Sequence, residues 1–211
     1  TQNQALSAIL FLYRRVLGLE LERLDDVVRA KHRVRLPVVL SRDEVRAILN
    51  RLTGSTWLMA SLLYGSGLRL VECVCLRVKD VDLETKEIMV RAGKGDKDRR
   101  TLVPESLVQP LREQLSRVRQ RHSKDLRLDA GWVEVPNALA RKYPNVGRDW
   151  PWQWLFPATR QYKHPSTGQL RRHHYHETAL QRAVRQAVHR SGISKPASCH
   201  TFRHSFATHL L

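Results

Sequence analysis

The sequence predicts an α+β fold that is mostly α-helical and carries one small antiparallel β-hairpin. Apolar residues recur at helical spacing in several stretches, as they do on the buried face of a helix. One stretch, KEIMVR at 86–91, alternates like a strand instead. The glycine-rich segment GKGDK at 93–97 follows it, and a second strand is predicted over 99–103, which completes the hairpin.

Boundary signals support the predicted helices. Ser41 and Glu44 form a capping-box pattern that opens a helix to about Leu52. Pro104 suits the first turn of another helix, where a missing amide hydrogen costs nothing. The other predicted helices span about 3–17, 56–64, 69–77, 104–121, 177–190 and 200–211.

The chain divides into two parts at a charged stretch. The basic run RAKHRVR at 29–35 is typical of a linker. We therefore predict that 1–36 is the end of an N-terminal helical domain with its linker, and that 37–211 is a second domain. Within the second domain, about 122–172 is predicted to be an irregular insertion, and it contains four of the five tryptophans.

Composition indicates a polyanionic partner. The chain has 37 Lys and Arg against 20 Asp and Glu, a formal net charge of +17. This balance favours nucleic acid, although a basic protein with solvated faces would show it too. Clustering of basic residues, with six between Arg112 and Arg127, favours nucleic acid. No apolar run is long enough for a membrane span and no signal peptide opens the chain, so we expect a cytoplasmic protein.

Three basic elements lie far apart in the sequence. Arg69 follows a glycine turn in GSGLRLVE, Lys94 lies at the predicted hairpin tip, and His200 and Arg203 share a face of the last helix. Two guanidinium groups can bind phosphodiester oxygens, a lysine can protonate a leaving oxygen, and a histidine can exchange protons near neutral pH. Together they would stabilise a five-coordinate phosphorane without a metal.

A metal site is the main alternative for the last helix. His200, His204 and His209 could be ligands, but no Asp or Glu accompanies them in this stretch. The three cysteines are an odd number without a CxxC pair, so we expect neither a zinc ribbon nor a disulfide framework. We therefore predict no metal.

Residues near these elements have more than one interpretation. Glu72 could orient the Arg69 guanidinium or form an ordinary surface ion pair. His204 could support His200 or pack against the domain. Lys97 and Arg99 are interpreted as contacts to backbone phosphates.

In this order, the motifs resemble those of the tyrosine recombinase family. They are LLYGSGLRLVECVCLRVKDVD (62–82), GKGDKDRRTLVP (93–104) and HTFRHSFATHLL (200–211). The resemblance implies that Arg69, Lys94, His200 and Arg203 bind and activate the scissile phosphate of DNA. It also implies cleavage and rejoining through a 3′-phosphotyrosyl intermediate, without cofactor, by a homo-tetramer assembled on DNA.

A narrower resemblance, to integron integrases, rests on the long segment before the last motif. Lys94 and His200 are 106 positions apart, and WPWQWLFP (150–157) and its neighbours look like the additional segment of that subfamily. The resemblance implies folded single-strand hairpin sites, flanking gene cassettes, whose protruding bases are held by stacking and in apolar pockets. The DNA-binding residues expected from it are Pro136, Trp152, Arg171, Arg172, His173 and His174.

Parts of the insertion could have structural roles instead. We expect Trp154, beside Leu155 and Phe156, to pack a small core beneath the insertion. A short helix at 136–143 could pack against a neighbouring subunit of the assembled complex.

The family's nucleophilic tyrosine should follow the last motif. All five tyrosines, Tyr13, Tyr64, Tyr143, Tyr162 and Tyr175, precede His200. We therefore expect a fragment of a longer protein or a truncated gene product, inactive in cleavage as it stands, with the tyrosine and a further His beyond Leu211. Two competing functions remain: a phage- or Xer-type recombinase on duplex DNA, and a non-catalytic DNA-binding protein of the same fold.

Overall fold

The computed structural model describes residues 2–19, 37–91 and 98–210. Contacts divide the chain into two compact units, Thr1–Leu36 and Pro37–Leu211. The predicted roles of Lys94 and Lys97, and the basic run at 29–35, lie outside the described residues.

The first unit contains one helical segment among its described residues. Helix α1 (Gln2–Phe11) continues into a π-helical turn, Leu12–Val16. Gly18 follows with a φ of 63°, a left-handed conformation that glycine adopts easily and that ends many helices. The helix predicted over 3–17 is thus present, with a widened last turn.

Helix α2 (Arg42–Leu49) opens the folded part of the second unit through the predicted capping box. The Glu44 amide donates to Ser41 Oγ at 3.2 Å, and the Ser41 amide donates to Glu44 Oε2 at 2.7 Å. Two amides that a helix start would leave unpaired are thereby satisfied. Lys195 also donates to Glu44 Oε2, which ties this end of the helix to the loop before the last helix.

Helix α3 (Gly54–Gly65) is the central element of the core. It is apolar around much of its circumference, as expected for a helix enclosed by others. After it the chain turns sharply at Gly67, whose φ is 60°. A Cβ there would lie 2.4 Å from the Phe206 ring, so the close packing requires glycine. This turn delivers Arg69 to the start of helix α4 (Leu70–Val74).

A three-stranded antiparallel sheet follows, with strand order β1-β2-β3. Its strands are β1 (Val81–Asp82), β2 (Glu87–Val90) and β3 (Arg99–Leu102). Ile88 and Val90 alternate into the core, which is the period-two pattern seen in the sequence. The predicted hairpin is therefore present as β2 and β3, and its tip lies outside the described residues.

Helix α5 (Glu105–Arg127) begins after Pro104, as predicted, but extends six residues past the predicted end at Arg121. The sequence there is polar, and its periodicity is weak. Tertiary contacts sustain the extra turns instead, because His122 and Asp125 are buried against the insertion.

Within the predicted irregular insertion, the short helix expected at 136–143 is present, and so is a β-hairpin that the sequence did not predict. The helix is α6 (Asn137–Lys142), and the hairpin consists of the antiparallel strands β4 (Pro157–Lys163) and β5 (Leu170–His174). Helices α7 (Glu177–Arg190) and α8 (Cys199–His209) follow, close to their predicted bounds. The predicted α+β fold class is confirmed.

No helix within the described ranges combines the length and apolar character needed to cross a membrane.

Candidate active site

Glu72 is the centre of a cluster of charged residues at the start of α4. Its carboxylate accepts from the Arg69 amide at 2.7 Å and from Arg69 Nη1 at 2.6 Å. This is the capping geometry of a helix start, where a glutamate three positions on satisfies a free amide. The same carboxylate also holds the Arg69 guanidinium. Of the two interpretations that the sequence allowed for Glu72, the structure therefore favours orientation of Arg69 over an ordinary surface ion pair.

Two further arginines reach the same carboxylate from distant elements. Arg99 Nη2, on β3, lies 2.8 Å from Glu72 Oε2, and Arg203 Nη1, on α8, lies 3.9 Å from it. Arg203 also donates to the carbonyl oxygen of Gly67, which anchors α8 to the glycine turn. Three guanidinium charges thus face one carboxylate, and the cluster carries surplus positive charge.

The pKa of Glu72 reflects competition between two effects. Burial of the side chain, which is only 10% exposed, raises the pKa of the carboxyl. Hydrogen bonds from the Arg69 amide and from the Arg99 and Arg69 guanidinium groups outweigh it, so the pKa is lowered overall. Glu72 therefore stays ionised at neutral pH.

His200 lies one helical turn before Arg203. Burial lowers the pKa of His200, and the neighbouring His204, Arg203 and Arg69 lower it further. The rings of His200 and His204 meet edge to face, with centroids 4.2 Å apart. A neutral imidazole at this place can accept a proton at physiological pH.

A cavity of about 260 Å³ adjoins this cluster. Arg69 and His200 line it together with the first turn of α8 and part of α7. No tyrosine is among its lining residues in the described part of the chain. Arg69 and Arg203 as the two cations, with His200 as the proton acceptor, can hold a tetrahedral dianion or a phosphodiester between them.

The structure brings together three of the four predicted catalytic residues, Arg69, His200 and Arg203. Arg99, interpreted from the sequence as a contact to backbone phosphate, lies beside Glu72, and its predicted DNA contact stays a prediction. Its Nη2 binds Glu72, and its buried Nη1 has no hydrogen-bond partner. Arg99 lies at the tip side of the hairpin, where it pairs with Val90, and no local sequence signal places it next to Glu72.

The last helix does not gather its histidines into a metal site. His209 Nδ1 lies 2.8 Å from the Tyr64 hydroxyl oxygen, away from the His200 and His204 pair. Across the described ranges, no group of three or more His, Cys, Asp or Glu side chains is arranged to hold a metal ion. All three cysteines are free thiols.

Comparison with known proteins agrees with this geometry. The model of the Phage integrase family matches residues 38–211. The chain belongs to this family of tyrosine recombinases. A curated relative from Escherichia coli, named Integrase/recombinase, is 49% identical over 211 residues, which are 100% of this chain and 63% of the relative. The chain therefore spans less than two thirds of that relative.

Solved structures of the family share the fold. The crystal structure of XerA recombinase matches with a TM-score of 0.55 and 27% identity, covering 99% of this chain and 61% of that one. XerH bound to its difH substrate in a pre-cleavage complex matches with a TM-score of 0.55 and 21% identity, covering 96% of this chain and 51% of that one. The XerH match supports the fold alone.

A second cavity, of about 330 Å³, lies between two residues of the insertion of this integrase-family chain and the segment from α4 to β2. Pro136 and Trp152, both predicted to hold protruding bases, line it, and so does Glu72. Lys79 Nζ lies 2.9 Å from the centroid of the Trp152 ring. An aromatic face, a proline and a cation therefore surround a space next to the arginine cluster.

Arg171 and Arg172 are held by protein acceptors. Arg172 donates to both oxygens of Asp125 at 2.8 and 2.9 Å, and also to two backbone carbonyls of β4. Arg171 pairs with Glu134 and with Gln169. In this arrangement most of their donors are occupied, which leaves little capacity for phosphate. Their predicted DNA contacts stay predictions.

The aromatic residues of the insertion differ in exposure. Trp154 is 7% exposed and its indole nitrogen donates to the Arg172 carbonyl, so its predicted packing role is confirmed. His174 contacts the edge of Trp154, with centroids 5.4 Å apart. His173 is exposed and stacks on Tyr162 at 4.2 Å, with planes inclined by 7°. His173 therefore presents a flat surface to solvent.

Proposed function

We propose that this protein is part of a site-specific DNA recombinase of the integron integrase type. The observation that carries the proposal is the cluster at Glu72, where Arg69, Arg99 and Arg203 share one carboxylate beside the neutral imidazole of His200. Such surplus charge suits a phosphodiester that gains negative charge in its transition state. Family membership supports the reaction class, and the insertion supports the substrate.

In the proposed reaction, Arg69 and Arg203 bind the non-bridging oxygens of the scissile phosphate. A tyrosine oxygen attacks phosphorus and forms the 3′-phosphotyrosyl bond while the bond to the 5′-oxygen breaks. His200 is suited to accept the tyrosine proton, and Lys94 to protonate the leaving 5′-oxygen. The cycle needs neither a metal nor a high-energy cofactor, because the phosphotyrosyl bond retains the energy of the broken link.

We place the nucleophilic tyrosine outside the 211 residues, after Leu211, together with a further histidine. Support comes from the five tyrosines of the chain, all of which precede His200. Tyr64 is engaged with His209, and Tyr162 with His173. Activity in DNA exchange is then a property of the longer protein, which we propose acts as a tetramer on DNA.

The proposed substrate is a single-strand hairpin with protruding bases. Trp152 and Pro136 border a cavity next to the arginine cluster, and a base that leaves the stack could occupy it while its strand lies at the scissile position. The exposed His173 offers a second stacking surface. Stacking on aromatic rings contributes about 1–3 kcal/mol per base.

A duplex substrate is the second candidate. The XerA match at 27% identity over 99% of this chain favours a recombinase of the Xer type. The insertion distinguishes the two, because a fully paired duplex offers no protruding base to the Trp152 cavity.

Covalent trapping tests both. The protein expressed from its complete reading frame would be incubated with two nicked substrates, a hairpin with protruding bases and a fully paired duplex. A denaturation-resistant adduct on the hairpin is expected. An adduct mainly on the duplex would move the protein to the Xer type, and tight binding without an adduct would indicate a DNA-binding protein without cleavage chemistry.

A further inference from the structure

The solvent-facing side of α5 is almost uniformly basic. From Arg112 to Arg127 the helix buries four residues, Gln114, Val118, His122 and Asp125, in addition to the apolar start of the same stripe. The opposite side is exposed and carries one acid, Glu113. The exposed basic residues are Arg112, Arg117, Arg119, Arg121, Lys124 and Arg127.

Within the described part of the chain, none of these six side chains has a carboxylate partner. Elsewhere the exposed Arg46 and Arg100 each pair with an acid, whereas the exposed Arg42, Arg51 and Arg190, like these six, are in none of the ion pairs of the described residues. On α5, Arg112 and Arg117 are bound by the neutral Gln109 and Gln114. Across the described residues, no ion pair involves any of the six. Their charge is therefore available to an external anion.

An aromatic ring lies at the edge of this surface. The Arg119 guanidinium carbon is 4.7 Å from the centroid of the Trp150 ring, and Trp150 is partly exposed. His122 supports the ring from the buried side, with centroids 6.0 Å apart. A cationic face next to a fixed aromatic ring is the combination that binds nucleic-acid strands.

The dimensions of the surface suit a polynucleotide. The basic stretch from Arg112 to Arg127 covers 16 residues of the helix and is therefore about 24 Å long, about two thirds of a turn of duplex DNA. Arg119, Lys124 and Arg127 border a shallow groove along the helix. Neither the cavity at Arg69 nor the one at Trp152 is lined by any residue of α5.

We propose that the exposed face of α5, with Trp150 at its edge, is a second DNA-binding surface that contacts the phosphate backbone outside the cleavage site. The surface recognises the charge of the DNA backbone, so the base sequence of the DNA does not affect this binding. The proposal does not require the recombination chemistry, because it concerns binding alone. In a recombinase, this surface would hold DNA that flanks the crossover or a second segment of a folded site.

The test uses the protein expressed from its complete reading frame and a triple variant, Arg119→Gln, Lys124→Gln and Arg127→Gln. A matched control, Arg42→Gln, Arg51→Gln and Arg190→Gln, removes the same charge from exposed positions on α2, the turn after it and α7. Binding to a 40-base-pair duplex and to a 40-nucleotide single strand of unrelated sequence would be measured between about 50 and 200 mM salt.

For the duplex, the slope of log K against log salt should become less negative by about 2.7 in the triple variant, from about 0.9 per lost phosphate contact. The control should change it much less. If both variants make the slope less negative by the same amount, or neither changes it, the surface is an ordinary solvated face and the proposal is wrong. A loss restricted to one probe would assign the surface to duplex or to single-stranded DNA.

Adduct formation on a short nicked substrate separates this inference from the proposed function. The triple variant should form the adduct at the wild-type rate, because none of its residues lies at the arginine cluster. If neither protein forms an adduct while the salt slopes still differ, the proposed function fails and the surface stands. Trp150→Ala should weaken single-strand binding further if bases stack there.

Discussion

At Glu72, three guanidinium groups share one carboxylate, whereas in the insertion Arg171 and Arg172 each have their own acceptors. Arg172 has both oxygens of Asp125 and two carbonyls, and Arg171 has Glu134 and Gln169. The first arrangement has surplus positive charge. The second is close to neutral and crosslinks β5 to the elements around it.

The difference shows how similar residues acquire different roles. A guanidinium whose donors are used within the protein contributes to folding, because breaking its contacts leaves a buried partner unpaired. A guanidinium that shares its partner keeps donors free for a ligand. Basic residues in the sequence could not be sorted this way, because the sorting depends on which carboxylates lie within reach.

The largest effect on stability is expected from removing the ion pair between Arg172 and Asp125 in the insertion. Arg172→Ala should lower the free energy of unfolding by about 3–5 kcal/mol, because the pair with Asp125 is almost buried, with side chains 12% and 9% exposed. Urea denaturation measures this. The control is Arg100→Ala, whose arginine is 68% exposed and pairs with Glu87, and which should cost at most about 1 kcal/mol. Equal losses would contradict the comparison.

Removing a guanidinium from the charged region should affect chemistry rather than folding. Arg69→Ala is expected to reduce the rate of adduct formation at least about 10²–10³-fold, the usual cost of losing one transition-state donor. DNA affinity should fall far less. Arg46→Ala, on the exposed face of α2, is the control and should leave the rate unchanged. A parallel loss of binding would mean that Arg69 positions DNA and takes no part in catalysis.

The cavity between the two regions should discriminate between substrates. Trp152→Ala is expected to weaken binding of a hairpin with a protruding base by about 1–3 kcal/mol, with a smaller effect on duplex. Competition binding on the two probes measures the difference. An equal effect on both would assign Trp152 to packing with Lys79 and Arg77.

The smallest effect concerns the pH dependence of stability. Because the pKa of Glu72 is lowered in the folded state, its contribution is present above the unfolded pKa of about 4.5 and is lost as pH falls through the folded value. Glu72→Gln should remove the part of the loss of stability at low pH that comes from protonation of Glu72. Urea denaturation between about pH 3 and pH 7 would show a shallower slope in the variant. An unchanged slope would mean that Glu72 does not interact strongly with the arginines in solution.

The sequence predicted those parts of the fold whose signals are local. The capping box at Ser41, Pro104 before α5 and the glycine turn before Arg69 define boundaries through nearby hydrogen bonds and backbone geometry. The β4 and β5 strands were missed because PATRQYK and LRRHH lack apolar alternation. They are held by side-chain contacts from distant residues, such as Arg172 with Asp125.

Those residues of the candidate site that lie in recognisable sequence motifs could be predicted from the sequence. Arg69, His200 and Arg203 were found as separate elements, and the structure brings them together. The position of Arg99 was not predictable, because it depends on the register of β3 against β2 and on the approach of that sheet to α4.

The central claim is that shared guanidinium groups act in catalysis and fully paired ones act in structure. The most direct measurement compares Arg203→Lys with Arg171→Lys in the protein from its complete reading frame, by adduct formation on a nicked hairpin. Lysine keeps the charge but loses the planar fork. We expect Arg203→Lys to form the adduct at least about a hundredfold more slowly, with DNA binding retained, and Arg171→Lys to keep the wild-type rate. Equal rates for the two variants, or a greater loss in Arg171→Lys, would contradict the account.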